Sequence, residues 1–204
     1  MDFAFYVTAF VTLFVVIDPI GLTPLFVALT AGMAPEKRRA IGYRSLFIGA
    51  ALLTLFGLFG EAVLGFIGIS MPAFRIAGGI LLFLTALDML FERRTERRQG
   101  QADANEDDPS VFPLATPLIA GPGAIATMIL LTGQTGGDLG AMVLVHLVLA
   151  LVLAIMLGLF MAANLLERLL GDVGINVVTR LLGMLLAALS VQFVVDGVKA
   201  LMPV

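Results

Sequence analysis

The sequence predicts an all-α integral membrane protein with six transmembrane helices, arranged as two inverted three-helix repeats whose first and fourth helices are discontinuous. Three observations predict this fold class. Of the 204 residues, 60% are hydrophobic and 13% are charged, whereas soluble domains are about 25% charged. Apolar runs reach the ~20 residues that a helix needs to cross a bilayer. Proline pairs also recur at equivalent places in the two halves of the chain, which is typical of membrane proteins built from inverted repeats.

Charged residues and Gly/Pro breaks divide the apolar sequence into six predicted spans. They cover residues 3–30, 39–68, 74–91, 111–132, 140–164 and 177–199. The runs lack the alternation of polar and apolar residues that lipid-facing β-strands show, so helices are the predicted element. Because six spans return the chain to its starting side, both termini are expected on one face of the bilayer.

The distribution of positive charge predicts which face that is. With both termini outside, ten of the twelve Lys and Arg residues fall in inside loops, and only Arg75 and Lys199 fall outside. Loops on the cytoplasmic side carry an excess of Lys and Arg. Both termini are therefore predicted to lie outside.

A polar segment at 92–110 separates a first repeat, residues 1–91, from a second repeat, residues 111–204. The segment has a basic start, an acidic end and almost no apolar residues, a composition that does not support a packed core. We expect a flexible cytoplasmic linker. Since each half contains an odd number of spans, the second half must enter the membrane from the opposite side, and the repeat is inverted.

Two matched segments support the internal repeat. A proline pair in the first span aligns with a pair in the fourth span at an offset of 98 residues, and the segment that begins at Arg75 aligns with the one that begins at Arg180 at an offset of 105. The aligned prolines are Pro19, Pro24, Pro117 and Pro122. The sequence therefore predicts two related halves of slightly different length.

The same prolines predict breaks in the first and fourth helices. A proline inside a helix lacks an N–H donor and crowds the carbonyl four residues earlier. In hydrocarbon, backbone disturbed in this way must line a cavity or be packed inside protein. Each of these prolines follows a residue that can cap a helix, so each is a predicted start of a half-helix. The four predicted starts are Asp18-Pro19, Thr23-Pro24, Thr116-Pro117 and Gly121-Pro122.

The two breaks predict a site for a small ligand near the membrane midplane. Helix starts present free N–H groups and the positive end of the helix dipole to a carboxylate, while Asp18 offers a negative charge to an ammonium group. Small residues leave room for backbone amides to approach a ligand. These residues are Gly21, Ala120, Gly121 and Gly123. A small zwitterion such as a neutral amino acid fits the site, an inorganic ion fits almost as well, and the alternative is that the prolines only kink packed helices.

Other intramembrane polar residues have ordinary interpretations. His146 is the only histidine and is expected to make an interhelical hydrogen bond, with a proton relay as the alternative. Asp88 and Asp196 lie near span ends, where snorkelling or capping accounts for them. Arg75 and Arg180 begin their spans and are expected to anchor them at the interface.

The sequence excludes several chemistries. It contains no cysteine, so disulfides, thiolate nucleophiles and Cys-ligated metals are excluded. No metal-binding, hydrolase or phosphate-binding motif occurs, so we expect no enzyme, no cofactor, no resident metal and no direct use of ATP. The expected partners are the lipid bilayer and a small solute, with a proton or sodium as coupling ion and no nucleic acid. A homo-oligomer is left open.

Four segments resemble signature segments of the MarC family of integral membrane proteins. They are VVIDPIGLTPLF, FRIAGGILLFLTALDML, PLATPLIAGPGAI and GINVVTRLLGMLLAALSVQFVVDGV, and they fall in order at four of the six spans. The resemblance implies a prokaryotic inner-membrane protein of six helices. For one group of members it implies transport of small neutral amino acids such as glycine and alanine.

By motif position, the resemblance also implies a substrate site at the discontinuous helices. Its residues would be Asp18, Pro19, Gly21, Thr23, Pro24, Thr116, Pro117, Gly121, Pro122 and Gly123. The leading interpretation is a secondary transporter or exchanger that works by alternating access of the two repeats. Two alternatives stay open: an ion channel or ion carrier that uses freed carbonyls and Asp18 as ligands, and a membrane scaffold that does not transport.

Overall fold

A computed structural model of the protein describes residues 2–91 and 108–202, and over these ranges the regular structure is entirely helical. The helices are α1 (Phe3–Ile17), α2 (Pro19–Leu29), α3 (Pro35–Ile67), α4 (Met71–Leu90), α5 (Ser110–Ile119), α6 (Pro122–Gly133), α7 (Leu139–Met161) and α8 (Ala163–Leu201). Five spans are long and apolar enough to cross a membrane, with α1 and α2 counted together, and α5 with α6 makes a sixth that is bent by 55°. The prediction of an all-helical membrane protein is confirmed.

The helices extend beyond several of the predicted spans. The third helix begins at Pro35 instead of residue 39, because proline suits the first turn of a helix and the charged residues that follow it are tolerated there. The last helix begins at Ala163, well before the predicted 177, and its backbone turns at Gly171, where φ is 59° and ψ is 178°. The part of α8 that qualifies as a span is Val173–Leu201.

Besides α2, described below, three helices begin at side-chain caps that the sequence supplies. Asp2 accepts a hydrogen bond from the backbone N–H of Phe5 at 3.1 Å and starts α1. Asp138 accepts one from the N–H of Ala141 at 3.1 Å and starts α7. Ser70 has the same role at the start of α4. These caps satisfy backbone donors that have no partner within the helix.

The helices of the first half pack mainly on helices of the second half. The α3 helix packs on α5 and α6, while α7 packs on α1 and α2; α4 packs on α6, while α8 packs on α2. These contacts are reciprocal. If α1, α2, α3 and α4 exchange places with α5, α6, α7 and α8 respectively, each contact becomes another one of the same set. The packing of the two halves is therefore interleaved.

The most extensive contact joins α4 and α8 along most of α4. A Cβ placed on Gly197 would lie 2.9 Å from the carbonyl oxygen of Pro72, and one placed on Gly183 would lie 3.3 Å from that of Ala86. Residues late in α8 thus meet the start of α4, and earlier ones meet its end, so the two helices run antiparallel. Glycine at these positions lets the backbones approach closely.

The end of the predicted linker at 92–110 is held against α3. Most of the segment lies outside the described residues, but Asp108 forms a salt bridge with Arg44 of α3 and accepts a hydrogen bond from the backbone N–H of Ser110 at 3.1 Å. Ser110 is buried and belongs to α5. The helix α5 thus begins at Ser110, the last residue of the predicted linker.

We expect Asp108→Asn to lower thermal stability slightly at neutral pH. Hydrogen bonding from the side chain and backbone of Ser110, with the charges of Arg44 and Lys37, lowers the pKa of Asp108 below its usual 3.8. A lowered pKa stabilises the fold above the unfolded-state value, and this contribution is lost as pH falls through the folded pKa. Since both partners are about half exposed, the loss should be at most about 1 kcal/mol.

Thermal unfolding of the detergent-solubilised protein, recorded from neutral to acidic pH, checks this expectation. The wild type should be the more stable at neutral pH, and the difference from Asp108→Asn should shrink as the carboxylate is protonated. A difference that grows on acidification would contradict it.

Candidate functional site

The first break lies at Asp18, between α1 and α2. Asp18 has φ 59° and ψ 63°, the left-handed conformation, and it ends one helix and caps the next. Its Oδ1 accepts a hydrogen bond from the backbone N–H of Gly21 at 3.0 Å, and its side chain is fully buried. The residue before a proline is disfavoured in the right-handed helical conformation, and Asp tolerates the left-handed one. The predicted helix start at Asp18-Pro19 is confirmed.

The predicted start at Thr23-Pro24 is wrong. Pro24 lies inside α2, which continues to Leu29. The hydroxyl of Thr23 donates to the carbonyl oxygen of Pro19 at 2.8 Å, so it is bonded within the helix and does not act as a cap. The side chain of Thr23 thus bonds to a carbonyl one turn earlier in its own helix. The helix continues without a break at Pro24.

The helix α5 has wide, irregular backbone geometry. Backbone N–H groups bond to carbonyls five residues earlier: Leu114 to Pro109 at 3.2 Å, and Ala120 to Ala115 at 2.9 Å. Its two internal prolines, at 113 and 117, each remove a donor from the regular pattern. Such wide turns occur frequently at functional sites.

The second break lies at Gly121, where α6 begins with Pro122 in its first turn. The prediction of a helix start at Gly121-Pro122 is confirmed. The predicted start at Thr116-Pro117 falls on a kink inside α5, where Thr116 is non-helical with φ −129° and ψ 131°. Its hydroxyl donates to the carbonyl oxygen of Val111 at 3.4 Å and caps no helix.

The two helix starts pair the halves differently from the prolines compared in the sequence. Pro19 and Pro122 begin α2 and α6 and are 103 positions apart, whereas the offset of 98 paired each of them with a proline inside a helical element. An offset of 103 lies close to the 105 that aligns Arg75 with Arg180.

The second break lies beside the first. A Cβ placed on Gly123, in the first turn of α6, would lie 3.4 Å from Cγ1 of Val16, which precedes Asp18 by two residues. It would also lie 3.4 Å from Oγ1 of Thr85 and from Cδ2 of Leu82 on α4. The end of α1, the start of α6 and one face of α4 therefore converge at one place.

The predicted site residues fall into two groups and one outlier. The first group surrounds the Asp18 break and consists of Asp18, Pro19, Gly21, Thr23 and Pro24; the second surrounds the Gly121 break and consists of Thr116, Pro117, Ala120, Gly121 and Gly123. Pro122 is exposed, so its role is to start α6. Val16, Leu82 and Thr85, which lie beside Gly123, are not among the predicted site residues. The spacing of Leu82 and Thr85, which puts both on one helix face, is the signal that could have grouped them.

Thr127 near the start of α6 and Asp18 at the first break are buried polar residues. The hydroxyl of Thr127, one turn into α6, donates to the carbonyl oxygen of Gly123 at 2.8 Å and is fully buried. No side chain caps α6, whereas Asp18 caps α2. Across the described ranges, no group of three or more His, Cys, Asp or Glu side chains is placed to hold a metal ion.

We expect Gly121→Ala to destabilise the protein and Gly123→Ala to be tolerated. A Cβ on Gly121 would lie 2.5 Å from the carbonyl oxygen of Pro117, a backbone atom, whereas the contacts of a Cβ on Gly123 are ordinary at 3.4 Å. Crowding of this kind costs about 1–3 kcal/mol. Thermal unfolding of the two purified variants in detergent checks this prediction. Equal stability of the two variants would show that the backbone at residue 121 can shift to accommodate a methyl group.

These features define a class: a polytopic, all-helical membrane protein with five or six candidate spans, one of them the bent pair of α5 and α6. The chain belongs to the MarC family, since the family model for "MarC family integral membrane protein" matches residues 3–202.

Relatives from archaea and bacteria align over almost the whole chain. The UPF0056 membrane protein MJ1677 of Methanocaldococcus jannaschii is 37% identical over 203 residues, which cover 98% of each chain. The UPF0056 membrane protein YhcE of Escherichia coli is 34% identical, covering 99% of this chain and 95% of its own. The UPF0056 inner membrane protein YhgN of the same species is 35% identical, covering 95% of each. No solved structure matches the chain.

Proposed function

We propose that the protein is a secondary transporter or exchanger of small neutral amino acids, of the glycine and alanine class. The observation that carries this proposal is the convergence of the two breaks, in which Val16 beside Asp18 contacts Gly123 at the start of α6. A site at this point would meet both charges of a zwitterion. Broken helices that meet within the membrane are the usual architecture of substrate sites in secondary transporters.

The two helix starts supply complementary groups. The start of α6 has no side-chain cap, so its first N–H groups and the positive end of its dipole are available to a carboxylate. Asp18 brings an acidic group to the other break, where it is buried and suits an ammonium group. An amino acid would bind with its carboxylate toward α6 and its ammonium group toward Asp18.

The tight packing around α6 favours small substrates. Val16, Leu82 and Thr85 all lie within 3.4 Å of a Cβ on Gly123. Little space is left for a long side chain beside the α6 start, so glycine and alanine are the natural occupants. This tightness is the reason for proposing that class over larger neutral amino acids.

The packing supports an inverted repeat. The reciprocal helix contacts make α4 and α8 equivalent, and these two helices run antiparallel. A two-fold axis that relates antiparallel membrane helices lies in the membrane plane, as in transporters with inverted repeats. Such symmetry provides two equivalent states, one open to each side, which alternating access requires.

We further propose that the protein lies in the inner membrane with both termini outside. The relative YhgN is named an inner membrane protein, and the excess of Lys and Arg in loops on one side supports this orientation.

Uptake by proteoliposomes tests the proposed function. Purified protein would be assayed with radiolabelled glycine and L-alanine under an imposed proton gradient, a sodium gradient or a load of counter-substrate. Saturable uptake that unlabelled glycine and alanine compete away is expected, with protein-free liposomes as the control. If neither amino acid moves under any of the three conditions, the proposal fails, and an ion carrier or a scaffold becomes the better interpretation.

A further inference from the structure

The only histidine of the chain has a buried nitrogen without a hydrogen-bond partner. His146 lies in α7, and its Nδ1 is 2.8 Å from the carbonyl oxygen of Met142 in the same helix. Since a carbonyl only accepts, Nδ1 carries the hydrogen and Nε2 has a free lone pair. Nε2 is buried and has no partner among the described residues. The interhelical hydrogen bond expected from the sequence is therefore not formed.

Nε2 points into an apolar junction of three helices. A Cβ placed on Gly57 of α3 would lie 3.1 Å from Nε2 and 3.0 Å from Cε of Met128 of α6. The nitrogen thus faces the backbone of α3 beside a methionine of α6. The imidazole lies where a helix of the first half meets two helices of the second.

No charged side chain hydrogen-bonds to this nitrogen among the described residues. The helices α2 and α6 carry no titratable side chain, and α1 carries only Tyr6, with Asp18 at its end. On α3, Glu61 lies one turn beyond Gly57, and its Oε2 is 3.8 Å from a Cβ placed on Gly133 at the end of α6. The other charged residues of α3 are at 36–44, ~20 Å or more from Gly57 by helix rise. The charged residues of α8 are at 167, 168, 172, 180, 196 and 199.

An unpaired acceptor in this place is costly, and a proton would make it more so. A buried polar atom without a partner costs about 1–3 kcal/mol. A proton on Nε2 replaces the acceptor by a donor and adds a positive charge, which an apolar junction cannot stabilise. The charged form is compatible only with an arrangement in which α3 and α7 move apart and admit water or Glu61. Proton binding and opening of this contact are therefore linked.

We propose that His146 couples transport to protons: while the contact between α3 and α7 is open, Nε2 takes one proton from water on one side of the membrane, and it returns that proton to water on the opposite side before the contact closes. This inference rests on the proposed transport of amino acids and names proton as the coupling ion. His146 is a coupling residue and does not touch the substrate in this assignment.

Transport by His146→Asn provides the first test. Asparagine can still donate to the Met142 carbonyl, but it cannot take a proton. Accumulation driven by a proton gradient should fall at least about tenfold, while counterflow at equal pH on both sides should stay within about twofold. The matched control is Gly158→Ala, on the same helix and with nothing within 4 Å of the new methyl group. Equal accumulation by the wild type and His146→Asn, or an equal loss of both activities, would overturn the proposal.

A second measurement does not depend on knowing the substrate. The chain has no cysteine, so spin labels can be placed at Phe59→Cys on α3 and Leu147→Cys on α7, both exposed positions. The distance distribution should shift toward longer values between about pH 8 and about pH 5, and His146→Asn should remove that shift. An unchanged distribution in the wild-type background overturns the coupling role even if amino acids are transported. A shift without amino-acid transport would instead retain the link between proton and conformation and reject the proposed substrate.

Discussion

Asp18→Ala is expected to abolish amino-acid uptake and to weaken the junction of α1 and α2. Loss of one partner from a buried, hydrogen-bonded charge pair costs about 2–5 kcal/mol, so substrate affinity should fall about 30-fold or more. The same change removes the cap on the N–H of Gly21 and places alanine at φ 59°, a conformation that is unfavourable for residues with a Cβ. Asp18→Ala therefore removes both the charge proposed to bind the substrate and the side-chain cap that stabilises the start of α2.

Asp18→Asn separates the two contributions. Asparagine accepts the hydrogen bond from Gly21 and tolerates the left-handed conformation, but it carries no negative charge for an ammonium group. We expect stability close to that of the wild type together with uptake as low as that of Asp18→Ala. Uptake would be measured in proteoliposomes and stability by thermal unfolding in detergent. Wild-type uptake by Asp18→Asn would mean that Asp18 serves only as a helix cap.

Gly79→Leu is expected to be the most destabilising single change at the contact of α4 and α8. A Cβ on Gly79 would lie 2.8 Å from the carbonyl oxygen of Ser190 and 3.1 Å from the backbone N of Val194. Backbone atoms cannot rotate away as a side chain can, so even alanine should cost about 1–3 kcal/mol and leucine more. The two helices would be forced apart at their closest approach.

Two glycines provide controls for that prediction. Gly65 in α3 and Gly158 in α7 have nothing within 4 Å of an added Cβ, so alanine there should leave thermal stability unchanged or slightly raised, because alanine is the better helix former. All variants would be compared by thermal unfolding and by size-exclusion profile in one detergent. If Gly79→Ala were as stable as Gly158→Ala, the close approach of α4 and α8 would not matter for stability.

The apolar runs predicted the helices well, and the proline pairs predicted the breaks only in part. Each proline has an equivalent local signal, a short polar or small residue followed by proline. The preceding residues differ: Asp18 and Gly121 adopt non-helical conformations at the starts of α2 and α6, Thr116 adopts one at a kink inside α5, and Thr23 uses its hydroxyl on its own helix. That choice depends on backbone conformation, and the dipeptide does not encode it.

Other parts of the site could not be read from the sequence, because they depend on tertiary contacts. The meeting of Val16 with Gly123 joins residues more than 100 positions apart. For His146, the sequence suggested a partner on another helix, whereas the structure brings a glycine and a methionine to that position. Nε2 of His146 lacks a hydrogen-bond partner because of the way α3, α6 and α7 pack together. The sequence alone does not predict that packing.

The interleaved packing of the halves has a consequence for biosynthesis. The helices that pack most extensively on α3 are α5, α6 and α7, which all follow it in the chain. At about 5–20 residues per second, the first three spans must wait in the bilayer, on the order of 10 s, before the helices that cover their glycine-lined faces leave the ribosome. During that interval the nascent protein exposes to lipid, and to quality-control proteases, surfaces that the finished bundle conceals. Stop codons within the second half should therefore yield rapidly degraded fragments instead of stable shorter proteins.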